Sequence, residues 1–174
     1  MSILRFLGLS PTQPPAKDKE ADTLRKIVKE LDAQDPERAR FIAAFAYILS
    51  RVARADLNIS PEETRLMERI VVELGKLPEA QAVMVVQIAK TQNILFGGTE
   101  NFIVTREFNR MAAYEEKLAL LQCLFAVSAA DDSISTVEDN EISQIADELR
   151  IEHKDFIAVR STFREHLAVL KKTP

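Results

Sequence analysis

The chain has 174 residues, of which 47% are hydrophobic and 29% charged, a balance typical of one globular domain rather than of a disordered chain. Its formal net charge of −4 argues against nucleic acid as a partner, because surfaces that bind nucleic acid are basic. The single cysteine, Cys123, excludes an internal disulfide and fits the reducing cytoplasm, where we expect the protein to work. Four glycines, no tryptophan and abundant alanine, leucine and glutamate favour helices.

The first twenty residues are predicted to form an arm and linker outside the helical domain, which we expect over residues 21–174. Residues 1–9 are apolar but too short for a signal-peptide core and its cleavage site. Three prolines within residues 10–17 predict an extended linker. We interpret the arm as a frayed or packing segment; the alternatives are docking into a partner's groove and peripheral contact of residues 1–9 with a membrane.

Along the rest of the chain the apolar spacing predicts helices and no strand. A short helix is expected over residues 22–33, and Pro36 then begins a longer one that is apolar almost all round over residues 41–49. Further helices are expected to begin at Ser60–Pro61, at Pro78 and after Thr99. A second very apolar helix covers residues 118–130, a helix follows Ile134, and a last one runs through Phe156 and Leu170.

An internal repeat relates the two halves of the domain. Residues 55–63 match residues 130–138 at an offset of 75 residues, and the match continues on both sides. The apolar pairs that coincide are Phe45 with Leu120, Ile48 with Cys123, Leu49 with Leu124, Val52 with Val127, Met67 with Ile142, Ile70 with Ile145 and Leu74 with Leu149. Since neither copy covers its own apolar helix, we expect the two central helices to pack together. The prediction is an all-α antiparallel bundle of about seven to eight helices with two pseudo-symmetric repeats, at about residues 36–96 and 112–171.

The two inter-helix loops carry the acidic residues that invite a functional interpretation. Their spacing, Asp-x-x-Ile-x-x-x-Glu, matches the second half of an EF-hand, but the earlier ligand positions hold apolar or basic residues and the turn glycine is missing. Ser60 with Glu63, and Ser135 with Glu138, have the spacing of a helix capping box. We therefore predict capping for these four residues.

Asp56 and Asp131 each lie near the C-terminus of a helix, where the helix dipole disfavours a negative charge. One way to compensate is an Asx turn, in which the carboxylate accepts N–H groups two or three residues ahead. The other is a divalent cation, Ca²⁺ or Mg²⁺, held by carboxylates and helix-end carbonyls. The candidate metal ligands are Asp56, Glu63, Asp131, Asp132 and Glu138.

Enzymatic chemistry has little support in the sequence. Cys123 aligns with Ile48 on a central helix, which predicts a core residue rather than a nucleophile. His153 and His166 lack the spacing of metal ligands. Gly97–Gly98 is not followed by the Lys-Ser/Thr of a phosphate-binding loop. We expect no catalytic residues and no tightly required cofactor.

At the paired Ala-Asp-x-x-Ile-Ser-x-x-Glu loops the sequence resembles the TerB-like family of tellurite-resistance proteins, and the N-terminal region of DjlA-type DnaJ co-chaperones. The likeness covers about residues 41–170 and includes residues 107–110 and 151–156. It implies two pseudo-symmetric helical halves, a place in bacterial stress or tellurite response, and metal-binding acidic residues that map onto Asp56, Glu63, Asp131 and Glu138. The family usually has glycine after the loop aspartate, whereas Leu57 and Asp132 stand here.

Two functions remain open at this point. The first is a non-enzymatic stress-response binding module, with a cation at the acidic loops. The second is a protein-interaction adaptor or co-chaperone-type domain that needs no metal. A small-molecule or lipid binder would require a sizeable apolar cavity between the halves.

Overall fold

The computed structural model describes residues 26, 29–53, 60–92 and 101–171. Within them residues 29–32 are helical, and seven α-helices follow. They are α1 (Pro36–Val52), α2 (Pro61–Glu73), α3 (Glu79–Gln92), α4 (Asn101–Met111), α5 (Tyr114–Ala129), α6 (Thr136–Glu148) and α7 (His153–Thr162). Two 3₁₀ turns, Arg164–His166 and Ala168–Leu170, complete the described chain. The all-α prediction is confirmed. The arm, Asp56, Gly97–Gly98 and Thr99 lie outside the described residues.

The helix starts follow from local chemistry. Asp35 caps α1, accepting the N–H groups of Glu37 and Arg38 at 3.1 and 3.2 Å, while Pro36 occupies the first helical position, where a missing N–H costs little. In the same way α2 begins with Pro61 after a serine cap. The predicted starts of these two helices are confirmed.

The repeat is visible in the helix boundaries. Helices α2 and α6 each have 13 residues, and their first residues, Pro61 and Thr136, are separated by the 75-residue offset of the sequence repeat. Their caps have nearly the same backbone angles, φ −64° and ψ 159° at Ser60, and φ −66° and ψ 158° at Ser135. Two copies of one helical unit therefore fold alike.

The central helices α1 and α5 pack against each other, as the repeat predicts. Leu49 and Leu124, which coincide in the repeat, are both completely buried. Each central helix also contacts the second helix of the other copy, α1 with α6 and α5 with α2. The two copies thus cover each other's apolar surface, and the expected mutual packing is confirmed.

The copies differ by one residue at the end of α2. The N–H of Leu77 reaches the carbonyl of Val71, whereas in the second copy the N–H of Ile151 reaches Ala146, a loop one residue shorter. Both Leu77 and Ile151 are buried. The residue before each of them is left-handed, Lys76 with φ 58° and Arg150 with φ 56°, so the extra residue of the first copy lies between Val71 and Lys76.

Gly75 follows the last turn of α2, but it is not the left-handed residue that a helix-terminal glycine usually supplies. It is Lys76 that takes the left-handed conformation. A Cβ on Gly75 would lie 2.5 Å from the carbonyl oxygen of Val71, 3.1 Å from Cys123 Sγ and 3.2 Å from Phe45 Cζ. Glycine is needed here because the chain passes tightly between its own helix and the two central ones.

A buried ion-pair cluster joins the two copies. Arg51, near the end of α1, has a side chain only 5% exposed and contacts Glu148 at 2.7 Å and Glu141 at 2.8 Å, both on α6. Burial would raise the pKa of Glu148, but hydrogen bonds from Arg51, Thr105 and Gln144 hold it below its usual value. At the matching positions of the other copy, Arg51 is replaced by Ala126 and Glu141 by Leu66, and only Glu148 has a charged counterpart, Glu73, so this cluster breaks the repeat symmetry.

The prediction of one last helix running through Leu170 is wrong. Helix α7 ends at Thr162, and Leu167 is extended, with φ −71° and ψ 113°, between the two 3₁₀ turns. The physical reason is that the backbone of residues 166 and 168 forms hydrogen bonds with Ile134 instead of continuing the helix. Its N–H donates to His166 O at 2.7 Å and its carbonyl accepts the N–H of Ala168 at 2.9 Å. Leu167 is 1% exposed, whereas Leu170 is 50% exposed.

Candidate functional site

The predicted capping at both acidic loops is confirmed. In the first, Glu63 Oε2 accepts the N–H of Ser60 at 2.7 Å and Ser60 Oγ accepts the N–H of Glu63 at 3.1 Å. These bonds favour the charged carboxylate and hold the pKa of Glu63 below its usual value. In the second, Glu138 Oε2 accepts the N–H of Ser135 at 2.8 Å and its hydroxyl at 2.6 Å. One oxygen of each predicted glutamate ligand is thus engaged by its own helix.

Of the two predicted aspartate ligands of the second loop, both are exposed. Asp131 and Asp132 follow the end of α5, and Asp132 has a left-handed φ of 63°, which aspartate tolerates better than most residues. Within the described part of the chain, neither carboxylate makes a hydrogen bond or an ion pair. Asp56, the ligand predicted in the first loop, lies outside the described residues.

The Asx turn predicted for the second loop does not form around Ile134. The predicted donors to the Asp131 carboxylate are the N–H groups of Ser133 and Ile134; that of Ile134 donates to His166 O instead, and no bond from Ser133 to Asp131 is present among the described residues. Compensation for the helix end comes from a residue that the sequence reasoning missed. Lys171 Nζ donates to the carbonyl oxygen of Asp132 at 2.8 Å, placing a positive charge beside the two aspartates. The spacing of 39 residues gave no local signal for this contact.

The candidate ligands that the structure describes do not assemble into a cluster. Among the residues that the structure describes, no three His, Cys, Asp or Glu side chains come together in a way that could hold a metal ion. Ca²⁺ takes six to eight oxygen ligands and Mg²⁺ six. Asp131, Asp132 and the free Oε1 of Glu138 would therefore depend on backbone carbonyls and water for most of a coordination shell.

An exposed apolar surface adjoins the same loop. Val137, at the start of α6, is 54% exposed, and Val169 and Leu170 are 57% and 50% exposed. The backbone bonds between Ile134 and residues 166 and 168 bring these three side chains to one end of the molecule. We call Asp131, Asp132, Val137, Val169 and Leu170 the second-loop face. Sequence reasoning missed it because residues 167–170 were read as the inward stripe of a helix.

Other candidates for chemistry do not converge on a site. Cys123 is completely buried, its thiol donates to Ile70 O at 3.7 Å, and burial raises its pKa to about 12. The prediction of a core cysteine is confirmed. His153 lies beside the ring of Phe156, with the ring centroids 6.4 Å apart.

A cleft lies where the beginning of α1 meets the end of α4 and the beginning of α5. Three of its polar side chains already have partners: Asp35 caps α1, Arg38 donates to Gln81 Oε1 at 2.6 and 3.0 Å, and Glu116 accepts the N–H of Ala113 at 2.8 Å. This cleft is open and polar, unlike the enclosed apolar cavity expected of a lipid binder. None of the described helices has the length and apolar composition needed to cross a membrane.

Comparison with known proteins gives one match. A family model described as "Tellurite resistance protein TerB" matches residues 41–161. These residues run from the apolar part of α1 almost to the end of α7 and include both copies of the repeat. No curated protein and no solved structure matches the chain.

Proposed function

Because the chain belongs to the TerB family, we propose that it is a non-enzymatic, cytoplasmic binding module of a tellurite-resistance-type stress response, and that its ligand is a protein. The family assignment supports the cellular context. The cytoplasmic location is supported by the lone thiol, Cys123, which a reducing compartment keeps free.

The observation that carries the protein-binding proposal is the composition of the second-loop face. Two aspartates whose carboxylates have no partner among the described residues adjoin three branched aliphatic side chains that are each at least half exposed. Such a mixture of apolar and charged groups is the usual composition of a protein-binding patch. Since the charges are negative, the complementary segment of the partner is apolar and basic.

A capture experiment with a matched control tests this proposal. The purified protein is used to capture partners from its own cell extract, and Val169→Asp is compared with Ile103→Asp. Val169 and Ile103 are similarly exposed, at 57% and 51%, but Ile103 lies on α4, outside the second-loop face. We expect the partner to be lost with Val169→Asp and kept with Ile103→Asp. Equal capture by both variants would exclude the face as the binding surface.

A divalent cation at the second loop is the second candidate. It is favoured by the exposed, unpaired carboxylates of Asp131 and Asp132 and by the free Oε1 of Glu138, which are hard oxygen ligands. The test is calorimetric titration of Ca²⁺, Mg²⁺ and Mn²⁺ into the parent protein, into Asp131→Ala and into Asp147→Ala. Asp147 is an exposed carboxylate on α6 and serves as the control. Saturable heat that only Asp131→Ala abolishes would establish the site, and no saturable heat in the parent would remove it.

A further inference from the structure

The segment from Arg164 to Lys171, which we call the strap, is attached to the bundle by few contacts. Its one deeply buried side chain is Leu167, which is 1% exposed. The backbone bonds of Ile134 to His166 and Ala168, and the bond from Lys171 to Asp132, complete its attachment to the second loop. On either side of Leu167 the strap residues are half-buried or exposed. A segment held this way opens at a lower free energy than the helices around it.

The strap competes with Asp131 for a single donor. The N–H of Ile134 has one hydrogen, and with the strap docked it donates to His166 O at 2.7 Å. The Asp131 carboxylate, three residues earlier, is a local acceptor for the same N–H, one of the two arrangements predicted for this loop. When the strap leaves, that N–H becomes available to Asp131. While the strap is docked, the Asp131 carboxylate is therefore not bonded to the N–H of Ile134. Release of the strap allows this hydrogen bond to form.

We propose that the strap is a conformational switch for the second-loop face. Docked, it presents Val169 and Leu170 beside unpaired Asp131 and Asp132. Released, it withdraws the two apolar side chains and lets Asp131 pair with Ile134 N–H. The consequence for binding rests on the proposed function, whereas the switch itself does not.

Amide hydrogen exchange of the full-length protein tests the switch directly. In the parent we expect the amide of Ile134 to be much less protected than that of Leu124 in the centre of α5, because it exchanges through release of the strap rather than through global unfolding. Ala168→Pro removes the N–H that donates to Ile134 O and should speed exchange at Ile134 by roughly tenfold. Equal protection of Ile134 and Leu124 in the parent would show that the strap opens only when the whole bundle does, and would overturn the proposal.

A stronger variant, Leu167→Asp, places a charge at the buried anchor and should release the strap. We expect Ile134 to lose nearly all protection while Leu124 stays protected. In that background Asp131→Ala should speed Ile134 exchange several-fold further, whereas in the parent it should have no effect. If the Ile134 amide exchanges at the same rate in Leu167→Asp and in the double variant Leu167→Asp, Asp131→Ala, then Asp131 and the strap do not compete for this N–H. If Leu167→Asp fails to fold, the exchange of the Ile134 amide in Ala168→Pro tests the switch by itself.

The binding consequence is read separately from the exchange. In the capture experiment, the parent should hold its partner and Leu167→Asp should lose it with the bundle intact. If the parent and Leu167→Asp both capture the partner, binding does not depend on the docked strap, and its role as a switch for the second-loop face is refuted. If the parent itself captures nothing, the proposed function fails, and the exchange results still decide whether the strap opens independently.

Discussion

Replacing Arg51 by methionine removes the charge that neutralises two glutamates between the copies. Glu148 is only 14% exposed and would keep its hydrogen bond from Gln144 at 3.1 Å, while Glu141, 30% exposed, would turn towards water. Breaking a buried ion pair from one side costs about 3–5 kcal/mol, and the partial exposure of Glu141 places this change near the lower end. We expect Arg51→Met to lower the free energy of unfolding by about 3 kcal/mol at neutral pH.

Urea denaturation followed by far-ultraviolet circular dichroism measures this loss. With a slope near 2 kcal/mol per molar urea, typical of a domain of this size, the midpoint should fall by about 1.5 M. The double variant Arg51→Met, Glu148→Met should regain most of the stability, because an apolar pair of similar volume replaces a buried ion pair at little cost. A loss below about 1 kcal/mol in the single variant, or no recovery in the double, would refute the reasoning.

The same comparison has a predictable dependence on pH. The pKa of Glu148 is lowered in the folded protein, so its stabilising contribution is fully present above its ordinary value of 4.5 and is lost as the pH falls through the folded pKa. In Arg51→Met, burial without the guanidinium raises the pKa of Glu148 instead. The stability difference between parent and variant should therefore narrow as the pH falls below 4.5, as measured by urea titrations at several pH values.

Three further substitutions can be measured by the same unfolding assay, and a fourth prediction can be measured by alkylation. Gly75→Ala should cost about 2–3 kcal/mol, because its Cβ meets Val71 O at 2.5 Å, whereas Lys76→Gly should stabilise by about 0.5 kcal/mol by relieving a left-handed residue. Ser128→Ala should stabilise the protein by about 1 kcal/mol, since its buried hydroxyl has no hydrogen-bond partner among the described residues. A loss of stability would instead show that the hydroxyl does form a hydrogen bond. Iodoacetamide at about pH 8 should leave Cys123 unmodified in the native protein and react with it in concentrated urea, because burial raises the pKa of the thiol to about 12.

The architecture was predictable because the repeat and the helical periodicity are both local patterns. Leu49 and Leu124 occupy matching positions on two very apolar helices, and packing the two helices together buries both side chains. The caps were equally predictable, since Ser60 and Glu63 need only the geometry of one helical turn. Periodicity alone failed after Thr162, because Leu167 enters the core through an extended residue that Ile134, 33 positions earlier, stabilises.

The candidate site could be predicted only in part, because its partners are distant in sequence. Asp131 and Asp132 were recognised from their place at a helix end. The positive charge near them belongs to Lys171. The N–H of Ile134, one of the two donors expected for the Asp131 carboxylate, donates to the carbonyl oxygen of His166 instead. Both contacts depend on where the chain returns after α7, which no short-range pattern specifies.

The packing of each central helix against the second helix of the other copy has a consequence for biosynthesis. Helix α1 leaves the ribosome long before α6, and Arg51 meets Glu141 and Glu148 only 90 and 97 residues later. At about 5–20 residues per second, the nascent first half waits roughly 5–20 s for the part of the packing around α1 that α6 supplies. The rate of synthesis therefore sets how long that part of α1 stays uncovered.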